Sequence, residues 1–133
     1  MANALYNPGR EGFLDGSIDF DTDDIRVMLV LSTYTFVATH KFVSDLGAVD
    51  NGRSAALGSK TIADGVAGAA NTSLVATAAS ACKALVLYKY NASDAAARLI
   101  CYIDVATGLP FTPAASQTVN ITWDTGANKI FKL

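Results

Sequence analysis

Residues 25–36 read IRVMLVLSTYTF, which is the first clear strand signal in the chain. Its continuously apolar part, residues 27–31, is typical of a strand that is buried on both faces of a sheet. Residues 33–36 alternate in polarity, as a half-buried strand does. The apolar run is far shorter than the roughly 18 residues that a membrane-spanning helix needs. We therefore predict a central strand over residues 25–36 and no contact with a membrane.

Two further segments have the composition of strands. Residues 83–90 (KALVLYKY) and residues 98–105 (RLICYIDV) are rich in branched and aromatic side chains, which favour a pleated, half-buried surface. The short segment 91–96 between them contains Asn, Ser and Asp, which are common in turns. The pattern predicts an antiparallel β-hairpin.

The two cysteines lie inside apolar runs. If the hairpin turns near Asp94, Cys101 lies opposite Leu87 and Cys82 lies opposite Ala106, so the two thiols are not cross-strand partners. The first residues contain no apolar segment of the secretory type, so an oxidising compartment is not expected. We expect both cysteines to be buried free thiols.

The remaining elements are short and are separated by Gly, Asn, Asp and Pro. We predict a helical connector over residues 40–46, a weak strand over 53–62, a strand over 72–78 and a terminal hairpin of residues 118–123 with 129–133. Irregular connections are expected over residues 63–71 and 109–116, and they are candidate contact loops. The fold class is all-β and mainly antiparallel, either a β-sandwich of jelly-roll type or a partly closed barrel, with one short helix.

The composition indicates a protein whose surface meets other proteins. The chain has 133 residues, which suits a single domain over residues 1–133. Hydrophobic residues make up 51% and charged residues only 17%, with a mean hydropathy of +0.30. Because a typical soluble domain has about 25% charged residues, we expect neighbouring subunits to cover part of this surface. The net charge of −2 and the scattered Lys and Arg residues argue against nucleic-acid binding.

Residues 1–24 are predicted to form an ordered N-terminal arm. They show no sustained period, but they contain a turn signal at residues 7–9 and a stretch, 10–14, that fits one helical turn. The arm is too apolar for a solvated tail, so it packs either on its own domain or on a neighbouring subunit. The candidate interface residues are Leu5, Tyr6, Phe13, Leu14 and Phe20.

An acidic segment follows within the arm. Asp19, Asp21 and Asp23 match the first three ligand positions of an EF-hand calcium loop. However, Asp24 replaces the required glycine, and Val30 stands where the bidentate Glu should be, so the EF-hand interpretation fails. If this segment is extended, the three carboxylates point to one side and form a weak candidate cation site. An acidic turn before a strand is the favoured interpretation.

The sequence has no catalytic motif that we recognise. His40 is the only histidine, and although Ser44 and Asp45 are close in sequence, nothing around it resembles a nucleophile motif. The glycine spacings fit neither a phosphate loop nor a dinucleotide site. We predict that the protein is not an enzyme and needs no cofactor.

The aromatic residues allow a second kind of site. Five tyrosines and one tryptophan could form a carbohydrate-binding platform on an exposed sheet face. Tyr88 and Tyr102 lie in the predicted hairpin, where side chains of this size are more often part of a core or an interface. The core interpretation is favoured.

Several stretches resemble small virion proteins of tailed bacteriophages. They are the opening MANALYNPGREGFLDGSIDFDTDDIRVMLV, then ATHKFVSDL, LVLYKY, RLICYIDVATGLPFTP and the closing TWDTGANKIFKL, and together they cover most of the chain. The resemblance is greatest to capsid decoration, or cement, proteins. Tail, baseplate or fibre components, which can bind host glycans, are the competing class.

The resemblance implies a function in assembly. A decoration protein binds the outside of the capsid lattice and reinforces it through many repeated contacts. The implied partners are the major capsid protein and further copies of this chain, and the implied location is the virion, assembled in the host cytoplasm. Reduced cysteines agree with such an origin.

Overall fold

The computed structural model describes residues 3–133, and their fold is built mostly from short strands. In chain order the elements are β1 (Ala4–Leu5), α1 (Asn7–Asp15), β2 (Ile25–Leu31), a 3-10 turn (Val43–Leu46), β3 (Asp50–Arg53), β4 (Thr61–Ala63), β5 (Val66–Gly68), β6 (Thr72–Val75), β7 (Cys82–Lys89), β8 (Arg98–Ile103), β9 (Thr118–Ile121) and β10 (Phe131–Lys132). Residues 1 and 2 of the predicted arm lie outside the described residues.

A five-stranded antiparallel sheet with the order β1-β8-β7-β2-β3 forms the centre of the molecule. Strand β2 is nearly fully buried, as its continuous apolar sequence predicts. The predicted extension of this strand to residue 36 is wrong, because the chain turns after Leu31, where the Tyr34 N–H donates to the Leu31 carbonyl at 3.1 Å. The turn brings Tyr34 and Phe36 onto one face of the sheet.

The predicted hairpin is present as β7 and β8. Cys101 pairs with Leu87, as expected. Cys82 does not pair with Ala106, because β8 ends at Ile103; it pairs instead with Leu31 of β2 and forms an isolated bridge with Phe111. Both thiols are buried and free, which confirms the prediction for the cysteines.

Both faces of the central sheet are buried. One face, here called the closed face, carries Met28, Val86 and Tyr102 and is covered by Tyr6 and by residues 34–49. The opposite face carries an aliphatic cluster that includes Val27, Leu29, Leu87 and Ile100, and it is covered by the arm and by two small sheets. The result is a layered, sandwich-like arrangement that does not close into a barrel.

The two small sheets differ from the predicted terminal hairpin. One has the order β10-β5-β4, and the other pairs β6 with β9. Residues 118–123 and 129–133 therefore do not pair with each other. The reason is the anchoring of Trp123, whose ring N–H donates to the Ala70 carbonyl at 3.0 Å and whose backbone N–H donates to Asn71 Oδ1 at 3.0 Å. Beyond Trp123 the chain crosses to the other small sheet.

Several shorter predictions are corrected. The predicted strand 53–62 is interrupted, since β3 ends at Arg53 and β4 starts at Thr61. The stretch 63–71, predicted to be irregular, contains β5 and a two-residue turn. The strand predicted over 72–78 ends at Val75, and the connector predicted over 40–46 is the 3-10 turn Val43–Leu46. Residues 109–116 form no strand, as expected, apart from the bridge at Phe111.

Helix α1 is longer than the single turn predicted over residues 10–14. It runs from Asn7 to Asp15 with Pro8 in its first turn, and Gly16 ends it in a left-handed conformation with φ 81°. The helix lies directly on β8: a Cβ at Gly9 would be 2.8 Å from the Ile100 carbonyl oxygen. Only glycine permits this distance. Among residues 3–133, no helix has both the length and the apolar character that a membrane span requires.

Candidate interaction surface

The N-terminal arm is part of its own domain. Asn3 Oδ1 accepts hydrogen bonds from the backbone N–H groups of Asp104 and Val105, each at 2.9 Å, and Ala4 pairs with Tyr102. The Tyr6 N–H then donates to the Ile100 carbonyl at 3.0 Å. Of the two alternatives for the arm, packing on its own domain is the one observed in the chain.

The five candidate interface residues of the arm have very different environments. Tyr6 and Phe20 are buried in the two core clusters. Leu5 and Phe13 are half-buried against the core. Leu14 is 88% exposed on the outer side of α1. Leu14 is thus the member of this set that is free to contact another protein.

An apolar groove, here called the α1 groove, lies between the arm and the sheet β10-β5-β4. Its volume is about 330 Å³. Its walls are formed by Phe13, Ile18 and Phe20 on the arm side and by Ile62, Val66 and Phe131 on the sheet side, with Leu133 at one end. The Phe131 ring contacts both arm rings, with centroids 5.7 Å from Phe13 and 5.6 Å from Phe20.

The rim of the α1 groove exposes large apolar side chains. Ile62 is 55% exposed and Leu133 is 59% exposed, and both line the groove. Leu14 follows groove-lining Phe13 in sequence but does not itself line the groove. Exposed apolar side chains that are grouped in this way are characteristic of a binding surface.

Sequence reasoning missed the sheet side of the groove. The sequence pattern places Ile62 at the end of a weak strand and Phe131 in a terminal hairpin. The available signal is the sequence KIFKL at residues 129–133, together with the single apolar Ile62 in a polar stretch. Neither signal shows that the two segments lie next to the arm.

A second groove lies on the same side of the central sheet. It has a volume of about 270 Å³ and is lined by Leu29 and Leu85 of the central sheet, by the loop 106–109, by Phe111 and by residues 119–122. Part of the loop 109–116, which was expected to make contacts, therefore borders an open groove.

The acidic segment is a turn ahead of β2, as the favoured interpretation predicted, so its carboxylates are not aligned along an extended strand. The Asp23 N–H donates to the Asp19 carbonyl at 2.9 Å, which closes the turn. Asp23 Oδ2 accepts the Asp19 N–H at 2.7 Å and lies 3.1 Å from Lys89 Nζ. Within residues 3–133 no three His, Cys, Asp or Glu side chains are grouped so that they could hold a metal ion.

Asp19 and Asp21 interact through their side chains. Their hydrogen bond lowers the pKa of Asp19 and raises the pKa of Asp21, because one carboxyl group holds the proton that the other accepts. Asp24 is engaged elsewhere, since Arg26 donates two hydrogen bonds of 2.9 Å to its carboxylate and lowers its pKa.

His40 belongs to a chain of hydrogen bonds on the closed face. The hydroxyls of Tyr6 and Tyr34 lie 3.1 Å apart, and His40 Nδ1 lies 3.1 Å from the Tyr34 hydroxyl. Burial raises the pKa of both tyrosines. Asp45 does not orient the imidazole, because its Oδ2 accepts the N–H groups of Lys41 and Phe42. The arrangement joins the arm to the segment that covers the sheet.

The cysteines lack the surroundings of reactive thiols. Burial raises the pKa of Cys101 to about 12 and also raises the pKa of Cys82. Asn51 Nδ2 lies 3.1 Å from Cys82 Sγ, inside the core. Both thiols are therefore protonated at neutral pH and act as packing groups.

Most of the tyrosines belong to the core, as the favoured interpretation predicted. Tyr6, Tyr34, Tyr88 and Tyr102 are buried, while Tyr90 is exposed beneath the Arg26 guanidinium, which lies 3.8 Å from its ring centroid. An exposed platform built from these side chains is therefore not formed.

Comparisons of the chain with protein-family models, with curated proteins and with solved structures found no match.

Proposed function

We propose that this chain is a virion structural protein of a tailed bacteriophage, of the capsid decoration class, and that it binds the outside of the capsid lattice through the surface around the α1 groove. The main support for the proposal is the groove itself, with Ile62 and Leu133 exposed at its rim. The resemblance of the sequence to small phage virion proteins supplies the class of partner.

The walls of the groove suit a function in docking. The arm wall is fixed by buried Ile18 and Phe20, and the sheet wall by buried Val66 and Ala67. A partner side chain would therefore meet a surface that is already formed, which lowers the entropic cost of binding. Complete burial of one leucine-sized side chain contributes roughly 1.5–3 kcal/mol. Because a capsid repeats each contact many times, modest contacts are sufficient.

Point substitutions at the rim test the proposal better than removal of the arm. Deleting residues 1–24 would remove Tyr6, Ile18 and Phe20 from the core and unfold the domain. Leu133→Lys changes a groove-lining residue that is 59% exposed and leaves the core intact. Val105→Lys is the matched control, since Val105 is 63% exposed and does not line the α1 groove.

The assay is co-sedimentation of the purified variants with phage particles from which this protein has been stripped. We expect Leu133→Lys to weaken particle binding by at least about tenfold and Val105→Lys to bind like the parent chain. Immunogold labelling of intact virions gives the location. Gold confined to the tail, or equal binding by both variants, would contradict the proposal.

A further inference from the structure

Strand β4 has an unpaired outer edge. It is the last strand of the sheet β10-β5-β4, and all three of its residues are exposed. Ile62 at its centre pairs with Ala67 of β5 on the inner side. In the part of the chain that the structure describes, no strand lies on the outer side. Such an edge is a template for another strand.

The register shows which backbone groups of β4 point outward. Asp64 and Gly65, with φ 52° and 76°, form a two-residue turn, so Ala63 and Val66 are the hydrogen-bonded pair that closes the hairpin. Because such pairs alternate along an antiparallel ladder, the N–H and C=O groups of Ile62 do not bond to β5.

The other side of β5 agrees with this assignment. The Leu133 N–H donates to the Gly65 carbonyl at 2.9 Å, and Phe131 pairs with Ala67, so the backbone groups of Ala67 point to β10. Ala67 therefore cannot bond to Ile62. No described residue supplies a partner for the N–H or the C=O of Ile62.

We propose that two copies of the chain pair through their β4 strands, in antiparallel orientation about a twofold axis at Ile62, so that two three-stranded sheets become one sheet of six strands. Each Ile62 N–H then donates to the Ile62 carbonyl of the other copy. The exposed Ile62 side chains lie on the same face of the new sheet and contact each other across the axis.

The charges beside Ile62 favour this register. Lys60 precedes it by two residues and Asp64 follows it by two, so a twofold axis at Ile62 puts Lys60 of each copy opposite Asp64 of the other. A shift of two residues in either direction would instead put one of these charges opposite Ile62. Lys60 Nζ donates to the Asp23 carbonyl, and an ammonium group has two further donors for a carboxylate.

The proposed β4 contact is small, so we expect it to be weak in solution. A three-residue edge buries much less than the roughly 1,200 Å² of a stable interface, so we expect a dissociation constant of about 0.1 mM or weaker. The biological role of this contact rests on the proposed function. On a capsid lattice neighbouring copies are held close together, and their high effective concentration allows a weak contact to form.

Sedimentation equilibrium of the full chain at concentrations up to about 1 mM tests the proposal. We expect a monomer–dimer equilibrium that Ile62→Pro weakens by at least about tenfold, because proline removes the outward N–H while no hydrogen bond of the monomer is lost. Ile62→Val keeps both the N–H and an apolar side chain, and it should dimerise like the parent chain. A parent chain that remains monomeric, or a folded Ile62→Pro variant that dimerises normally, overturns the proposal.

A charge exchange tests the register and does not depend on proline being tolerated. Asp64→Lys puts two positive charges opposite each other and should weaken the dimer, more at low salt than at high salt. The double variant Lys60→Asp with Asp64→Lys restores opposite charges and should restore the dimer. Failure of this rescue, in a double variant whose circular dichroism matches the parent, overturns the register.

The two proposals fail separately. Particles that bind a chain which does not self-associate overturn the β4 pairing alone. A chain that dimerises but does not bind particles overturns the proposed function alone. A dimer that Leu133→Lys disrupts and Ile62→Pro leaves intact shows pairing through the α1 groove and contradicts the β4 contact.

Discussion

The two faces of the central sheet are covered in different ways. On the closed face, Tyr34, Val43 and Val49, from a single continuous segment, pack against the sheet together with Tyr6. On the opposite face the cover consists of the arm and two sheets with strands of two to four residues, and both grooves lie there. Both faces contribute buried core, but the accessible apolar surface is concentrated on the face that carries the grooves.

The packing explains this division. On the closed face the centroid of the Phe36 ring lies 5.0 Å from that of Tyr6 and 5.0 Å from that of Tyr102. Such ring contacts leave little space for solvent. On the groove face the short strands cannot supply enough large side chains to fill the space between the arm and β5.

The largest expected difference between the two faces comes from removing one aromatic ring from each of them. Tyr102→Ala on the closed face should lower the free energy of unfolding by about 3–5 kcal/mol. Phe131→Ala on the half-buried groove side should cost about half as much, because part of its surface already faces solvent. Chemical denaturation measures both values. Equal losses would show that the two faces contribute equally to stability.

A smaller change tests the hydrogen bonds of the closed face. Tyr6→Phe removes the hydroxyl that lies 3.1 Å from the Tyr34 hydroxyl and keeps the ring. We expect a loss of about 1–2 kcal/mol in the free energy of unfolding, because a buried polar group loses a partner. Tyr90→Phe, at an exposed tyrosine, is the control and should change stability by less than about 0.5 kcal/mol. A neutral Tyr6→Phe would mean that the hydroxyl contributes no net stability.

The smallest expected effect concerns pH. Arg53 donates two hydrogen bonds of 2.8 Å to Asp94, and these bonds lower the pKa of Asp94 in the folded state. The carboxylate therefore stabilises the fold above its unfolded pKa, and this stability is lost as the pH falls through the folded pKa. Because the pair is partly exposed, the effect is at most about 1 kcal/mol.

Asp94→Asn tests this expectation. The free energy of unfolding of the variant should be lower than that of the parent at about pH 7, and the two values should approach each other towards about pH 2. A difference that does not depend on pH would show that the Asp94 contribution is not ionic. The Arg53 pair joins β3 to the loop between β7 and β8, so its loss should leave both faces of the sheet intact.

The fold class and the strongest strands could be predicted from the sequence. The apolar run of β2 and the hairpin of β7 and β8 are specified by local patterns, and the pairing of Leu87 with Cys101 follows from the hairpin. The pairing of β9 with β6 and of β10 with β5 could not be predicted. These strands are short, and their partners are distant in sequence, so tertiary contacts such as those of Trp123 determine the pairing.

Only the arm side of the α1 groove could be predicted from the sequence. The apolar arm was recognised, and Phe13 and Phe20 do line the α1 groove, but most of the arm is committed to its own core. A sequence pattern cannot distinguish an apolar side chain that is buried in its own domain from one that a partner covers. Leu14 illustrates the point, because it follows half-buried Phe13 directly and yet projects into solvent.

The pairing of β1 with β8 has a consequence for how the chain folds. Ala4 at one edge of the central sheet is bonded to Tyr102, and β2 is bonded to β7, so the sheet is closed by residues that are far apart in sequence. Domains that depend on such distant pairings fold in about milliseconds to seconds, whereas helical bundles fold much faster. During synthesis, the arm therefore has no strand to pair with until β8 has left the ribosome.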